Sequence, residues 1–184
     1  NETLREASRG ITVIWGSVDA APEMTGDDGR LRKYNAAFIA SDSQWLDNGV
    51  LQGRSYKTLL PNYREFDDKR HFFPLDRWAG ERGLAIEAAL HPFTLPAHDG
   101  IPAPSDPCRV GLMLCEDMWD ADYAIKPGRI LAANGATLLL NLSCSPWTWR
   151  KNAKRHRVAA ALCRETGIRL AYVNTVGIQN NGKD

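Results

Sequence analysis

Short apolar runs punctuate this 184-residue chain, and what separates them changes at about Pro107. In the first part the runs are close together. Asn1 to Gly10 is charged and amphipathic and reads as the end of a helix. Ile11 to Val18 (ITVIWGSV) is apolar and rich in β-branched residues, which predicts a buried strand. Ala20 to Lys33 reads as a polar loop with Asp27, Asp28 and Gly29 as turn signals. Tyr34 to Ser41 and Gly49 to Lys57 predict two strands joined by a turn at Asp47-Asn48-Gly49. The segment that follows, TLLPNYREFDDKRHFFP, mixes aromatic and charged residues, and Pro61 and Pro74 exclude a continuous helix. Such a loop either walls a pocket or lies on the surface with its aromatics tucked in. Leu84 to Leu95 reads as a further extended, hairpin-like region, and Pro96 to Pro107 as a proline-rich connection.

Beyond Pro107 the spacing lengthens and the order becomes regular. Val110 to Leu114 is a short apolar run of the length and composition of a buried strand. A helix is predicted around Tyr123 to Asn134, stopped by Gly135 as its C′ residue. Thr137 to Leu142 is the next apolar strand. A second helix spans about Trp149 to Thr166 and is closed by Gly167, and Ile168 to Val176 is the last strand. Strand–helix–strand–helix–strand is α/β order. With the hairpins of the first part it predicts a mixed sheet with helices outside.

Composition narrows this picture. A chain of 184 residues, 43% of them hydrophobic, is enough for one domain with a real core. The formal net charge of +1 gives no bulk attraction to nucleic acid or membrane. No apolar run approaches the roughly 18 residues of a membrane span, and the N-terminus lacks the features of a signal peptide. The cysteines (Cys108, Cys115, Cys144, Cys163) form no CxxC pair and show no metal-type spacing. They fit the reduced thiols of a cytoplasmic protein better than a disulfide framework. His71, His91, His98 and His156 show no ligand spacing, so no metal is expected. The basic run Arg150, Lys151, Lys154, Arg155, Arg157 opens a helix with apolar later turns and reads as a solvated face rather than a nucleic-acid site.

The candidate chemistry sits at strand ends. The strand 110–114 leads straight into Cys115, Glu116 and Asp117, and open α/β sheets bind ligands at the carboxyl ends of their strands. A cysteine there is by default a small core hydrophobe. The acidic pair after it and Lys57 at the exit of an earlier strand turn the reading to a nucleophile. An ammonium near a thiol favours the thiolate. It would also stabilise an oxyanion on an attacked carbonyl, aided by the backbone N–H after the cysteine, so a Lys/Cys pair suits acyl transfer from an amide. Asp117 reads as a structural acceptor for nearby backbone N–H groups, and the role of Glu116 stays open. Cys108, Cys144 and Cys163 read as core thiols.

Together these motifs carry a family resemblance. YKTLLPNYREFDDKRHF resembles the lysine motif of the carbon–nitrogen hydrolase (nitrilase) superfamily, CEDMW its nucleophile motif, and NLSCSPW followed by YVNTVG completes the order. Within that superfamily the likeness is to the glutaminase domain of glutamine-dependent NAD synthetases, and it covers nearly the whole chain. The resemblance implies an αββα sandwich with mixed sheets and outer helices, and a Glu-Lys-Cys triad. By position Cys115 would be the nucleophile and Lys57 its electrostatic partner, while Tyr63, Ser145 and Lys151 would contact glutamine. The amidase step would need no cofactor. ATP and magnesium would serve an associated synthetase domain, in cis or in trans, that uses the ammonia on nicotinic acid adenine dinucleotide, and a homo-oligomer is expected.

Two departures stand beside this. The family's general-base glutamate belongs to a strand before residue 1, and Glu23 in APEMTG only imitates its motif, because it falls in the loop after the first strand. The chain also stops before the family's closing strands, so residues 1–184 read as a single domain incomplete at both ends. Two alternatives stay open: a stand-alone carbon–nitrogen hydrolase acting on another amide or a nitrile, and a non-catalytic relative serving as an interaction module.

Overall fold

The computed structural model describes residues 1–26, 28–64, 66–97, 106–145 and 148–176. Among them the strands form two four-stranded sheets. A short helix, α1 (Glu2–Ala7), precedes β1 (Thr12–Thr25), β2 (Leu31–Ser41), β3 (Gln44–Trp45) and β4 (Arg54–Tyr56). These strands make the first sheet, in which β2 lies central and antiparallel to its neighbours. The short helices α2 (Asp68–His71), α3 (Leu75–Gly80) and α4 (Ile86–Ala89) lead to β5 (Phe93–Thr94). Then come β6 (Arg109–Leu114), a 3-10 turn (Cys115–Met118), α5 (Pro127–Ala133), β7 (Leu138–Ser143), α6 (Lys151–Thr166) and β8 (Arg169–Asn174). The second sheet runs β5-β6-β7-β8, with β6, β7 and β8 parallel and β5 antiparallel at its edge.

The period-two alternation of the strands decides how the sheets meet. Ala37 and Ile39 of β2 face Val110, Leu112 and Leu114 of β6, with Ile14 of β1 and Leu138, Leu140 and Leu142 of β7 packed around them. The intervening residues point the other way. Met113 of β6 and Leu139 of β7 meet Leu131 of α5 and Leu162 of α6, so helices cover the outer face of the second sheet. On the outer face of the first, Trp15 stacks on Phe38 and Tyr34 on Tyr56, and Trp78 of α3 meets Tyr56 edge-on. The result is the expected layering of helix, sheet, sheet and helix, with only short helices on the first sheet.

The second sheet matches its sequence pattern closely. Gly135 (φ +87°) and Gly167 (φ +72°) adopt the left-handed conformation that ends α5 and α6. The first half of the chain corrects the pattern in four places. β1 runs on through Thr25, so the loop expected from Ala20 to Lys33 shrinks to a turn around Asp28 and Gly29, and Glu23 lies exposed on a strand. None of β1 is fully buried, because among the described strands it pairs only with β2. The tight hairpin lies at Asp42-Ser43, both with positive φ, as a two-residue turn between twisted strands requires. Asp47 and Asn48 instead cap a second turn, their side chains accepting from the N–H groups of Gly49, Val50 and Leu51. Finally, the hairpin-like region around Leu84 to Leu95 contains the one-turn helix α4, and α3 precedes it.

Candidate active site

The site is built where β6 ends. Cys115 follows Leu114 with φ +46°, a left-handed conformation that costs energy for a residue with a side chain. This elbow and the 3-10 turn behind it send three consecutive side chains to three different places. Cys115 faces a cavity between the two sheets, Glu116 faces a second cavity, and Asp117 enters the core. The elbow is held from β7. The fully buried Asn141 donates its amide to the Cys115 carbonyl at 3.2 Å and accepts from the Ser143 hydroxyl at 3.2 Å.

Asp117 joins this elbow to the lysine segment. One carboxylate oxygen accepts from the N–H groups of Thr58 (3.1 Å) and Leu59 (2.8 Å), and the other from that of Leu114 (3.0 Å). The residues following Lys57 and the residue preceding Cys115 thus share one carboxylate, the structural acceptor role expected for Asp117. Burial pushes its carboxyl up to about 6 against the pull of these three bonds.

The cavity between the sheets has a volume of about 750 Å³ and opens at the carboxyl ends of β6, β7 and β8. Lys57 reaches it from the other sheet, one residue beyond β4, its N–H bonded to the Asn35 carbonyl at 2.8 Å. The lysine is only 3% exposed, and its ammonium donates to Asp68 Oδ2 at 2.5 Å. Phe66, Asp68 and Phe72 line the same space, so the aromatic, charged segment after Lys57 does wall a pocket. Burial pushes the Cys115 thiol above its ordinary value. Lys57 and a hydrogen bond with Ser143 pull it back in part, while Glu116 and Asp68 add to the rise.

The second cavity, about 480 Å³, lies on the other side of the turn. There the buried Glu116 accepts from the hydroxyls of Tyr63 (2.8 Å) and Tyr123 (3.1 Å). Burial and the Glu116 carboxylate raise both phenols, which keeps them as donors. Tyr63 therefore lines this cavity and not the one that holds Cys115.

Ser145 is buried just past β7. Its N–H donates to Asn174, and its carbonyl accepts from Arg155 at 2.9 Å. Lys151 is the first residue of α6, half-buried, and is not among the residues lining the Cys115 cavity. The structure thus brings Cys115 and Lys57 together and sets Tyr63, Ser145 and Lys151 around them at a remove. Arg155 corrects the solvated-face reading of the basic run, because it is buried and its guanidinium lies 5.7 Å from the Tyr172 ring. Pro146 and Trp147 of the NLSCSPW motif lie outside the described residues.

Three contributors to the site had no role assigned from the sequence: Asp68, and Asn141 and Ser143, which belong to the NLSCSPW motif at the end of β7. The N-x-S spacing that puts Asn141 and Ser143 on one face of β7 was the available signal for two of them. Asp68 had none, since its role depends on how the 58–74 segment folds back. Among the described residues no group of three His, Cys, Asp or Glu side chains is placed to hold a metal, and the four cysteines are free thiols.

No family model matches the chain. A glutamine-dependent NAD(+) synthetase from Xanthomonas campestris pv. campestris is 29% identical over 177 residues, covering 96% of this chain and 25% of the relative. The chain therefore spans about a quarter of the length of the curated relatives it matches. The structure of a glutamine-dependent NAD+ synthetase from Acinetobacter baumannii superposes with a TM-score of 0.65 at 25% identity, over 97% of this chain and 26% of that one. A carbon-nitrogen hydrolase from Helicobacter pylori G27 superposes with a TM-score of 0.62 at 19% identity, over 97% of this chain and 50% of that one.

Proposed function

We propose that this chain, which is similar to glutamine-dependent NAD synthetases and shares the fold of carbon–nitrogen hydrolases, is the glutamine-hydrolysing part of a glutamine-dependent NAD synthetase. One observation carries this reading. A thiol held in a left-handed elbow and a buried lysine from the opposite sheet face a single cavity at the carboxyl ends of the parallel strands.

On this reading Cys115 attacks the side-chain amide carbonyl of glutamine. The Lys57 ammonium stabilises the charge that develops on the carbonyl oxygen. The C–N bond breaks, the thiol proton leaves with the nitrogen as ammonia, and a thioester remains on Cys115. Water then cleaves the thioester to glutamate and restores the thiol, with a carboxylate as general base. In the family that base is a glutamate. Glu23 does not supply it, being exposed on β1 and absent from the residues that line the cavity.

Tyr63, Ser145 and Lys151 are the candidates for holding the polar ends of the substrate. The ammonia would pass to an ATP- and magnesium-dependent synthetase domain for amidation of nicotinic acid adenine dinucleotide. The expected setting is a cytoplasmic homo-oligomer, and among the described residues no helix is long and apolar enough to cross a membrane.

The test is ammonia release from glutamine by the intact protein beside its Cys115→Ala variant. Loss of release by about a thousand-fold or more is expected, as when the nucleophile of a cooperating set is removed. Activity that survives the substitution sinks the assignment of Cys115. Release from other amides or nitriles but not from glutamine would favour a stand-alone hydrolase. No release from any of them would favour the non-catalytic module.

A further inference from the structure

Basic and acidic residues nearly balance over the whole chain, 23 against 22, yet at the turn joining β1 to β2 they do not. There the turn and the segment that carries α2 and α3 enclose a cavity of about 230 Å³. Six cations line it: Arg30, Arg32 and Lys33 on one side, Lys69, Arg70 and Arg77 on the other. Among the described residues Asp28 is the single carboxylate on its walls. The two sides are fastened to each other. The Phe73 N–H donates to the Lys33 carbonyl at 2.8 Å. The buried Phe73 ring carries the guanidinium groups of Arg32 at 3.8 Å and of Arg77 at 4.5 Å from its centre. Glu81 clamps Arg32 with both carboxylate oxygens, at 2.6 and 3.0 Å. The other cations are poorly matched. Arg30 meets Asp28 at 3.5 Å and Arg70 meets Asp67 at 3.8 Å, both exposed pairs of the kind that contribute little. Lys33 and Lys69 form no ion pair among the described residues.

A basic helix face spreads its charge into water, whereas a cleft lined by one sign focuses the field and concentrates counter-ions. Guanidinium forks match phosphate oxygens, and ammonium groups add point charge beside them. One phosphate group, with a charge of about −1.5 to −2 near neutral pH, would leave most of the six cations unmatched. Two linked groups match more of them. The cavity is also smaller than the roughly 300 Å³ at which pockets for drug-sized ligands begin. We propose that it is an anion site for two linked phosphate groups, those of free pyrophosphate or of a nucleoside diphosphate whose nucleoside stays outside. Phe72 lines both this cavity and the one that holds Cys115, so the anion would sit next to the thiol site without belonging to it.

The experiment is lysine acetylation of the intact protein by an N-hydroxysuccinimide ester, followed residue by residue by peptide mass spectrometry at fixed ionic strength. Reading each lysine separately keeps phosphate binding elsewhere in the protein out of the result. In 1 mM pyrophosphate the acetylation of Lys33 and Lys69 is expected to slow about fivefold, as for a sub-millimolar site. Lys154, exposed on α6 away from the cavity, should keep its rate. The double variant Arg30→Gln, Arg70→Gln removes two exposed cations and should keep the wild-type Tm while its protection falls below about twofold. ADP at the same concentration separates the sources: protection equal to or better than that by pyrophosphate assigns the site to a nucleoside diphosphate, and protection by pyrophosphate alone assigns it to the free anion. Absence of protection by both overturns the proposal. So does equal slowing at Lys154, which would mean screening, or protection that persists in the double variant. Stronger protection by polyglutamate than by either phosphate compound at equal charge overturns it in favour of an acidic protein segment.

Discussion

The two cavities flanking the Cys115 turn are built from adjacent residues yet differ in kind. The one between the sheets gathers a thiol, an ammonium and a carboxylate from two sheets and a loop. At the turn, the other sets the Glu116 carboxylate against two phenols, each donating to it. In the first, opposite charges act on one thiol, Lys57 pulling its ionisation down and Asp68 pushing it up. In the second, Glu116 is held by two hydroxyl donors, and the cavity's other charged side chains, Asp120, Asp122, Arg129, Lys154 and Glu165, line the walls around them. A three-residue motif, CED, thus sends a thiol and a carboxylate into separate cavities by one backbone kink, with Asp117 tying the turn to the lysine segment.

Removing that anchor should break the comparison most severely. Asp117→Ala leaves three buried N–H groups without an acceptor. At about 1–3 kcal/mol for each buried group left unpaired, the loss should reach about 3 kcal/mol or more. Thermal unfolding is the measurement, with Tm expected to fall by about 10 °C. Alkylation of Cys115 should slow as well, since the elbow and the lysine segment lose their common tie. An unchanged Tm would mean that water or a neighbouring group replaces the carboxylate.

A smaller effect follows from the ionisation of the same group. The folded chain keeps a proton on Asp117 up to about pH 6, whereas the unfolded chain releases it near 3.8. Between those values the folded state binds more protons, so this group's contribution to stability falls as pH rises and levels off above about 6. Urea midpoints measured from pH 4 to 7 should therefore decline for wild type relative to Asp117→Asn, which does not titrate. Parallel curves would show that the three N–H bonds outweigh burial in setting the ionisation.

The two sheets were not equally legible in the sequence. In the second, each apolar run is isolated by a helix or a polar turn, and Gly135 and Gly167 mark the helix ends, so pattern and structure agree to within a few residues. In the first, the signals compete. Asn48-Gly49 is the stronger hairpin dipeptide, yet the hairpin forms at Asp42-Ser43, where β2 and β3 pair. The Asn48 side chain caps the neighbouring turn instead. Helices α3 and α4 are too short to show a helical period. At the site, Cys115 and Lys57 were legible because strand ends announce themselves. Asp68 and Asn141 were not, because their partners are supplied by tertiary folding.

Tyr63→Phe should have the smallest effect on stability and draws the line between the cavities most finely. It removes one of the two hydroxyls that Glu116 accepts and leaves that of Tyr123 at 3.1 Å. Tyr63 is 47% exposed, so water can take the vacated place and the cost should be about 1 kcal/mol. Cys115 alkylation should keep its rate and midpoint, because Tyr63 does not line the thiol cavity. Substrate kinetics then decide what the second cavity is for. A raised KM with kcat unchanged would mean that Tyr63 binds substrate equally in ground and transition states, and that one end of the substrate reaches past the turn to Glu116. Unchanged KM and kcat would remove Tyr63 from the substrate site and leave its hydroxyl the single task of solvating a buried carboxylate. A fall in kcat alone would contradict the separation, since the phenol would then act on the reacting atoms across the elbow.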